Sequence, residues 1–184
     1  RFLDRMVMAH TPSHGRAAAA YERAMRERNA LLEQGGRADP VWLTALEGRM
    51  AEAGAAMIHN RARALDRLRD AMDTAPDGAF PAADLHLKTE GPDGEAPGWN
   101  GPAIEAALAA DWASGRRRDA GAGRTLSGPH RTDLIVIHRP TGQPAALCST
   151  GQQKALLIAI TLANARALTE IEGEARPPLI LLDE

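Results

Sequence analysis

The last third of this chain constrains its fold more than any other stretch. A polar, glycine-containing turn, Cys148-Ser149-Thr150-Gly151-Gln152-Gln153-Lys154, is followed by a long amphipathic segment. Then comes the apolar run Leu179-Ile180-Leu181-Leu182, which closes on Asp183 and Glu184. Turn, helix, buried strand and paired carboxylates in that order call for an α/β arrangement. Continuous apolarity without alternation suits a parallel strand buried on both faces. Ligand sites in open α/β sheets lie beyond the carboxyl ends of such strands. An aspartate there can hold a Mg²⁺-bound water, and a neighbouring glutamate can polarise an attacking water. At the other end, backbone N–H groups opening a helix attract anions, and a small hydroxyl beside glycine lets a phosphate come close. An ordinary N-cap at Ser149 or Thr150 uses the same residue types, and many buried strands end in acids. Each feature alone is weak; the two together favour a nucleotide site.

Charge and composition narrow the partners. At 184 residues the chain is long enough for one or two small domains with a core. Only 3% of it is aromatic and alanine is abundant, which predicts a helix-rich core packed with small side chains. The net charge of −2 supplies no global basic field, so any nucleic-acid contact must use a local patch. Lys88 and Lys154 are the only lysines. Arginine suits bidentate phosphate contacts, although such a bias more often reflects genomic base composition. The single cysteine, Cys148, excludes an internal disulfide and an all-thiolate zinc site, and fits a reducing, cytoplasmic setting. No apolar run approaches the ~20 residues of a membrane span. The chain begins at Arg1 and stops on the apolar strand, so it is expected to be a piece of a longer protein.

In chain order, residues 1–8 read as the end of a helix, broken at Thr11-Pro12-Ser13. A helix over 16–34 carries Tyr21, Ala24, Met25, Leu31 and Leu32 on one side and ends at Gly35-Gly36. Asp39 as N-cap and Pro40 at the first helical position start another, running to about residue 75. Its apolar stripe is Leu46, Met50, Ala53, Met57, Ala64, Leu68 and Met72. The two helices predict an antiparallel hairpin. Arg61, Arg63, Arg67 and Arg69 are candidates for DNA phosphates, although a solvated face is the commoner meaning of such a pattern. Pro76-Asp77-Gly78 closes the hairpin, residues 84–88 alternate as a half-buried strand, and 90–101 form a Gly/Pro-rich loop. Pro102 opens a helix carrying Ile104, Leu108 and Trp112 and ending at Arg116-Arg117-Arg118. Gly128-Pro129-His130-Arg131 turns into a strand over 133–138, with 145–147 as its short partner. A helix over 152–170 and the terminal strand follow. The division expected is a helical lobe over 1–75 and an α/β part over 76–184.

Four stretches resemble the RecF family, bacterial recombination-repair ATPases related to the SMC heads. They are Arg1-Phe2-Leu3-Asp4; Tyr21 with Arg28-Asn29-Ala30-Leu31-Leu32; Gly128-Pro129-His130-Arg131-Thr132-Asp133-Leu134; and Ser149-Thr150-Gly151-Gln152-Gln153-Lys154. The resemblance implies part of an ABC-type (P-loop NTPase-like) ATPase head with an inserted helical lobe, using ATP and Mg²⁺. Ser149, Gly151 and Gln152 would contact ATP held by the opposite copy of an ATP-dependent homodimer. Asp183 would position Mg²⁺ through water, and Glu184 would orient the attacking water. Such proteins bind DNA at gaps and single-strand/double-strand junctions and work with RecR and RecO to load RecA. Thr132 stands where the family has an acid, and Cys148 where the broader ABC signature has leucine. The chain contains no Gly-x-x-x-x-Gly-Lys-Ser/Thr loop, so by itself it should bind ATP poorly and hydrolyse none. Two other readings remain at this point: another SMC-like ABC head, or a non-enzymatic helical module that binds DNA or RecR through its arginines.

Overall fold

The computed structural model describes residues 2–34, 38–75, 80–90 and 103–169. In order these form α1 (Phe2–His10), α2 (His14–Leu32), α3 (Pro40–Asp73), β1 (Ala83–Thr89), α4 (Ile104–Ala122), β2 (Thr132–His138), β3 (Gln143–Pro144) and α5 (Thr150–Thr169). The expected terminal strand, with Asp183 and Glu184, lies outside the described residues, as do Gly35-Gly36, Pro76-Asp77-Gly78 and most of the 90–101 loop.

The helix starts follow local chemistry. Between α1 and α2 the chain turns where the His14 N–H donates to the Thr11 carbonyl at 2.9 Å. Asp39 caps α3: its Oδ1 accepts the Val41 N–H at 2.8 Å, and Pro40 holds the first helical position, where no N–H is needed. Every residue of the predicted stripe, from Leu46 to Met72, is buried.

Contacts group the chain into two units: Arg1–His10, Ala62–Leu87 and Leu134–Glu184 form one, Thr11–Arg61 and Lys88–Asp133 the other. The first packs Leu3, Met6 and Val7 of α1, Leu65 and Leu68 of α3, Leu85 of β1 and Leu156 and Ile160 of α5 into one core. Its strands stand in the order β1-β2-β3; Ile137 pairs with Pro144 and His138 with Gln143, antiparallel. The second packs Tyr21 and Ala24 of α2, Leu46, Met50 and Met57 of α3, and Ile104, Leu108 and Trp112 of α4. Gly54 permits this approach, since a Cβ there would sit 3.2 Å from Leu108 Cδ1 and 3.3 Å from Pro129 Cγ.

Two expectations need correction. Residues 145–147 are not a strand; β3 stops at Pro144, which has no N–H to extend a ladder, and the chain tightens into a 3₁₀ turn with Cys148 N–H donating to the Ala145 carbonyl at 3.1 Å. Nor does α4 end at its arginine run. It continues to Ala122, because Asp119 is drawn into the core, and stops at Gly123, whose φ of 63° gives a left-handed cap.

Candidate functional site

The Ser149 turn lies in the first unit and heads α5. Cys148 is buried, and its backbone leaves the 3₁₀ turn in an extended conformation, aiming Ser149 outward. Ser149 closes a reciprocal capping box: its N–H donates to Gln152 Oε1 at 2.9 Å, and its Oγ accepts the Gln152 N–H at 3.3 Å. The Gln153 N–H donates to the Ser149 carbonyl at 2.9 Å, the first helical bond, and its Nε2 donates to the Cys148 carbonyl at 3.1 Å. Helix geometry therefore leaves the N–H groups of Thr150 and Gly151 as the open donors. Ser149 and Gly151 are exposed, and Gln152 is half-buried. A Cβ at Gly151 would meet nothing within 4 Å, and no acid occupies the first turn of α5. This is a small, open end with unopposed donors, the chemistry an incoming phosphate needs.

The four candidate DNA-facing arginines are not brought together. Arg61 is buried at 3% exposure and donates to the Pro129 carbonyl. Arg69 donates from Nε at 2.9 Å and from its terminal nitrogen at 2.7 Å to the Leu85 carbonyl, tying α3 to β1. Arg67 is half-buried, and Arg63 alone of the four is exposed.

The Gly128–Arg131 motif lies in the second unit on a polar foundation that the sequence did not reveal. Arg28 is fully buried; it donates to Glu47 (3.0 Å), Asp119 (2.7 Å), Thr125 Oγ1 (2.9 Å) and the Trp112 carbonyl (3.0 Å). Arg116 closes on Glu47 from the other side. Asn29 Oδ1 accepts from the N–H and the hydroxyl of Thr125, at 2.9 and 2.7 Å, and Trp112 Nε1 donates to the Ser127 carbonyl at 2.8 Å. The Arg28-Asn29 pair thus fixes the segment that runs into Gly128. There φ is 141°, and a Cβ would fall 2.3 Å from the Tyr21 hydroxyl, so only glycine fits. Tyr21 shares a 2.8 Å hydrogen bond with His130 Nδ1. Burial pushes the Tyr21 pKa up and keeps it protonated. Loss of hydration also holds the His130 imidazole below its ordinary value; the Thr125 carbonyl opposes this, and the nearby Arg131 and Arg61 charges add to it. His130 is an exposed residue, and the Tyr21 hydrogen bond ties its ring to the turn.

No protein-family model matches the chain. Over its entire length it is 49% identical to the DNA replication and repair protein RecF of Mesorhizobium japonicum, 49% identical to that of Brucella abortus and 48% identical to that of Rhizobium etli. It spans about half the length of these curated relatives: 48%, 47% and 48%. A solved structure of the recombination mediator protein RecF-ATP in the RecFOR pathway superposes with a TM-score of 0.81 at 21% identity, covering all of this chain and 48% of that one. A second RecF structure of the same pathway gives 0.74 at 21% identity, covering 95% of this chain and 47% of that one. The helices, the small antiparallel sheet and the capped turn share the fold of about half of those RecF structures, an α/β head carrying a helical lobe. The level of identity narrows this further. Along its whole length the chain is similar to RecF proteins, and it matches about half of each. No helix among the described residues is long and apolar enough to cross a membrane.

Proposed function

We propose that this chain is the signature-bearing half of a DNA replication and repair ATPase of the RecF type. The observation that carries the reading is the Ser149 turn: an exposed hydroxyl, an unobstructed Gly151 and two open N–H donors at the start of α5. ATP supplies the γ-phosphate that these groups would bind. Ser149, Gly151 and Gln152 would engage nucleotide held by a second copy, so that ATP closes a homodimer. Asp183 would hold Mg²⁺ through water, and Glu184 would orient the attacking water. The closed dimer would bind DNA at gaps and single-strand/double-strand junctions and act with RecR and RecO to load RecA, and hydrolysis would release it. The helical lobe over 1–75 and the head part over 76–184 would share this work in a cytoplasmic protein. The names of the relatives and the ATP in the first structural neighbour support this reading.

The test is sedimentation of the full-length protein with and without ATP, for wild type and Ser149→Arg. ATP is expected to dimerise the wild type alone, while the variant still binds nucleotide. Equal dimerisation of both would show that the turn is a helix cap and nothing more.

A further inference from the structure

Two large apolar side chains of the second unit stand in solvent side by side in the first turn of α3: Val41 at 76% exposure and Trp42 at 59%. Trp112 is fully buried and Trp99 lies outside the described residues, so Trp42 is the exposed tryptophan among the described residues. Seven residues on, about 10 Å along the same helical face, Arg49 lines a surface groove between α3 and α2. Arg16 and Arg23 of α2 line it as well, over a floor that includes Ala20, Ala24 and Ala53. None of these three guanidinium groups has a hydrogen bond or ion pair among the described residues. Glu27 and Glu52 share the groove, so three arginines face two carboxylates and the surplus is one positive charge.

We propose that Trp42 and the alanine-floored groove behind it form a contact surface for single-stranded nucleic acid. A base would stack on Trp42, and the following phosphates would be held by Arg49, Arg23 and Arg16. The proposal rests on the DNA-binding reading above and gives it a location. The small surplus charge rules out a broad attracting field, so stacking has to lead, and stacking on an exposed aromatic ring is independent of base identity. The alanines keep the floor low enough for a sugar–phosphate chain to come within reach of the arginine forks, which match phosphate geometry.

The experiment uses the full-length protein with ATP and a fluorescent oligothymidine, comparing wild type with Trp42→Ala, Trp42→Phe, Arg23→Ala and Arg49→Ala. All are surface changes, and circular dichroism checks the fold. Trp42→Ala should weaken binding about tenfold, and Trp42→Phe should retain most of the affinity. Each arginine variant should flatten the dependence of log affinity on log salt by roughly 0.7. ATP-dependent dimerisation should be unchanged throughout. If wild type binds and all four variants bind equally well, the groove assignment is overturned while DNA binding stands. If wild type itself fails to bind, the DNA reading falls and takes the groove with it. If Trp42→Phe is as weak as Trp42→Ala, with normal arginine slopes, stacking is refuted.

Discussion

Arg28→Met removes one guanidinium from the second unit and should cost it a large share of its stability. Methionine matches arginine in helix propensity and fills much of the same space, so the substitution isolates charge and hydrogen bonding. Arg28 has no side-chain exposure, and its ionic partners Glu47 and Asp119 are 2% and 0% exposed. Glu47 keeps Arg116 after the change, but among the described residues the Asp119 carboxylate keeps only the Leu126 N–H at 3.2 Å. A buried carboxylate is thus left short of its partner, a situation that costs about 3–5 kcal/mol against a typical domain stability of about 5–15 kcal/mol. The control is Arg26→Met, two residues earlier on α2. Its pair with Glu22 is 3.8 Å long and 68%/63% exposed, and such a pair contributes ~0–0.5 kcal/mol. Urea denaturation of the protein and the two variants measures the difference. Adding Asp119→Leu to Arg28→Met should recover part of the loss, because a buried ion pair can be replaced by packed apolar groups. An Arg28→Met variant within about 1 kcal/mol of wild type would refute the reasoning and show the network to be energetically idle.

Gly151→Leu should leave thermal stability nearly unchanged, because nothing lies within 4 Å of its Cβ position, yet abolish ATP-dependent dimerisation in sedimentation; a fall in melting temperature would mean the glycine is structural. Gly128→Ala should destabilise by more than about 1–3 kcal/mol in urea titration, from its φ of 141° and its clash with the Tyr21 hydroxyl. Tyr21→Phe in that background should relieve the clash and recover part of the loss. Acid should destabilise the fold through buried His10, held below the ordinary value of 6.5 chiefly by burial, and less through His130, which is lowered likewise but is an exposed residue. The unfolded chain binds these protons first, so stability is complete above pH 6.5 and declines as pH falls from there toward the folded pKa values. His10→Gln should flatten that decline in a melting-temperature series from pH 8 to about pH 5.

The periodic features were legible in the sequence because periodicity names a buried face. The stripe from Leu46 to Met72 is buried throughout, and the Asp39 cap stands where an acid before proline put it. Periodicity does not say what covers a face, which is why one stripe could serve two cores, Met57 in one unit and Leu68 in the other. Arg61 was misleading though readable. It falls four residues after Met57 and three before Ala64, on the buried side, where a guanidinium needs an internal acceptor and finds the Pro129 carbonyl. Arg28 gave no such signal: its partners are 19, 84, 91 and 97 residues away, and no local pattern reports contacts at that range. The end of α4 was marked by Gly123, but three arginines in a row imitate the basic last turn of a helix.

The helix-cap and phosphate-ligand readings of Ser149 are often set against each other, and the geometry of α5 removes the conflict. A cap uses the oxygen of the serine as acceptor and the glutamine side chain as its return partner, satisfying the N–H groups of Ser149 and Gln152. An anion needs donors, and the donors left are the N–H groups of Thr150 and Gly151 together with the hydroxyl proton of Ser149, which the cap does not use. The capping box thereby fixes the direction in which those donors point before any ligand arrives, and fixed donors lose less entropy on binding than mobile ones. Gly151 adds no side chain at the open end of the helix, where its Cβ position faces nothing within 4 Å. The same four residues that stop the helix from fraying would therefore pre-align its end for the proposed anion.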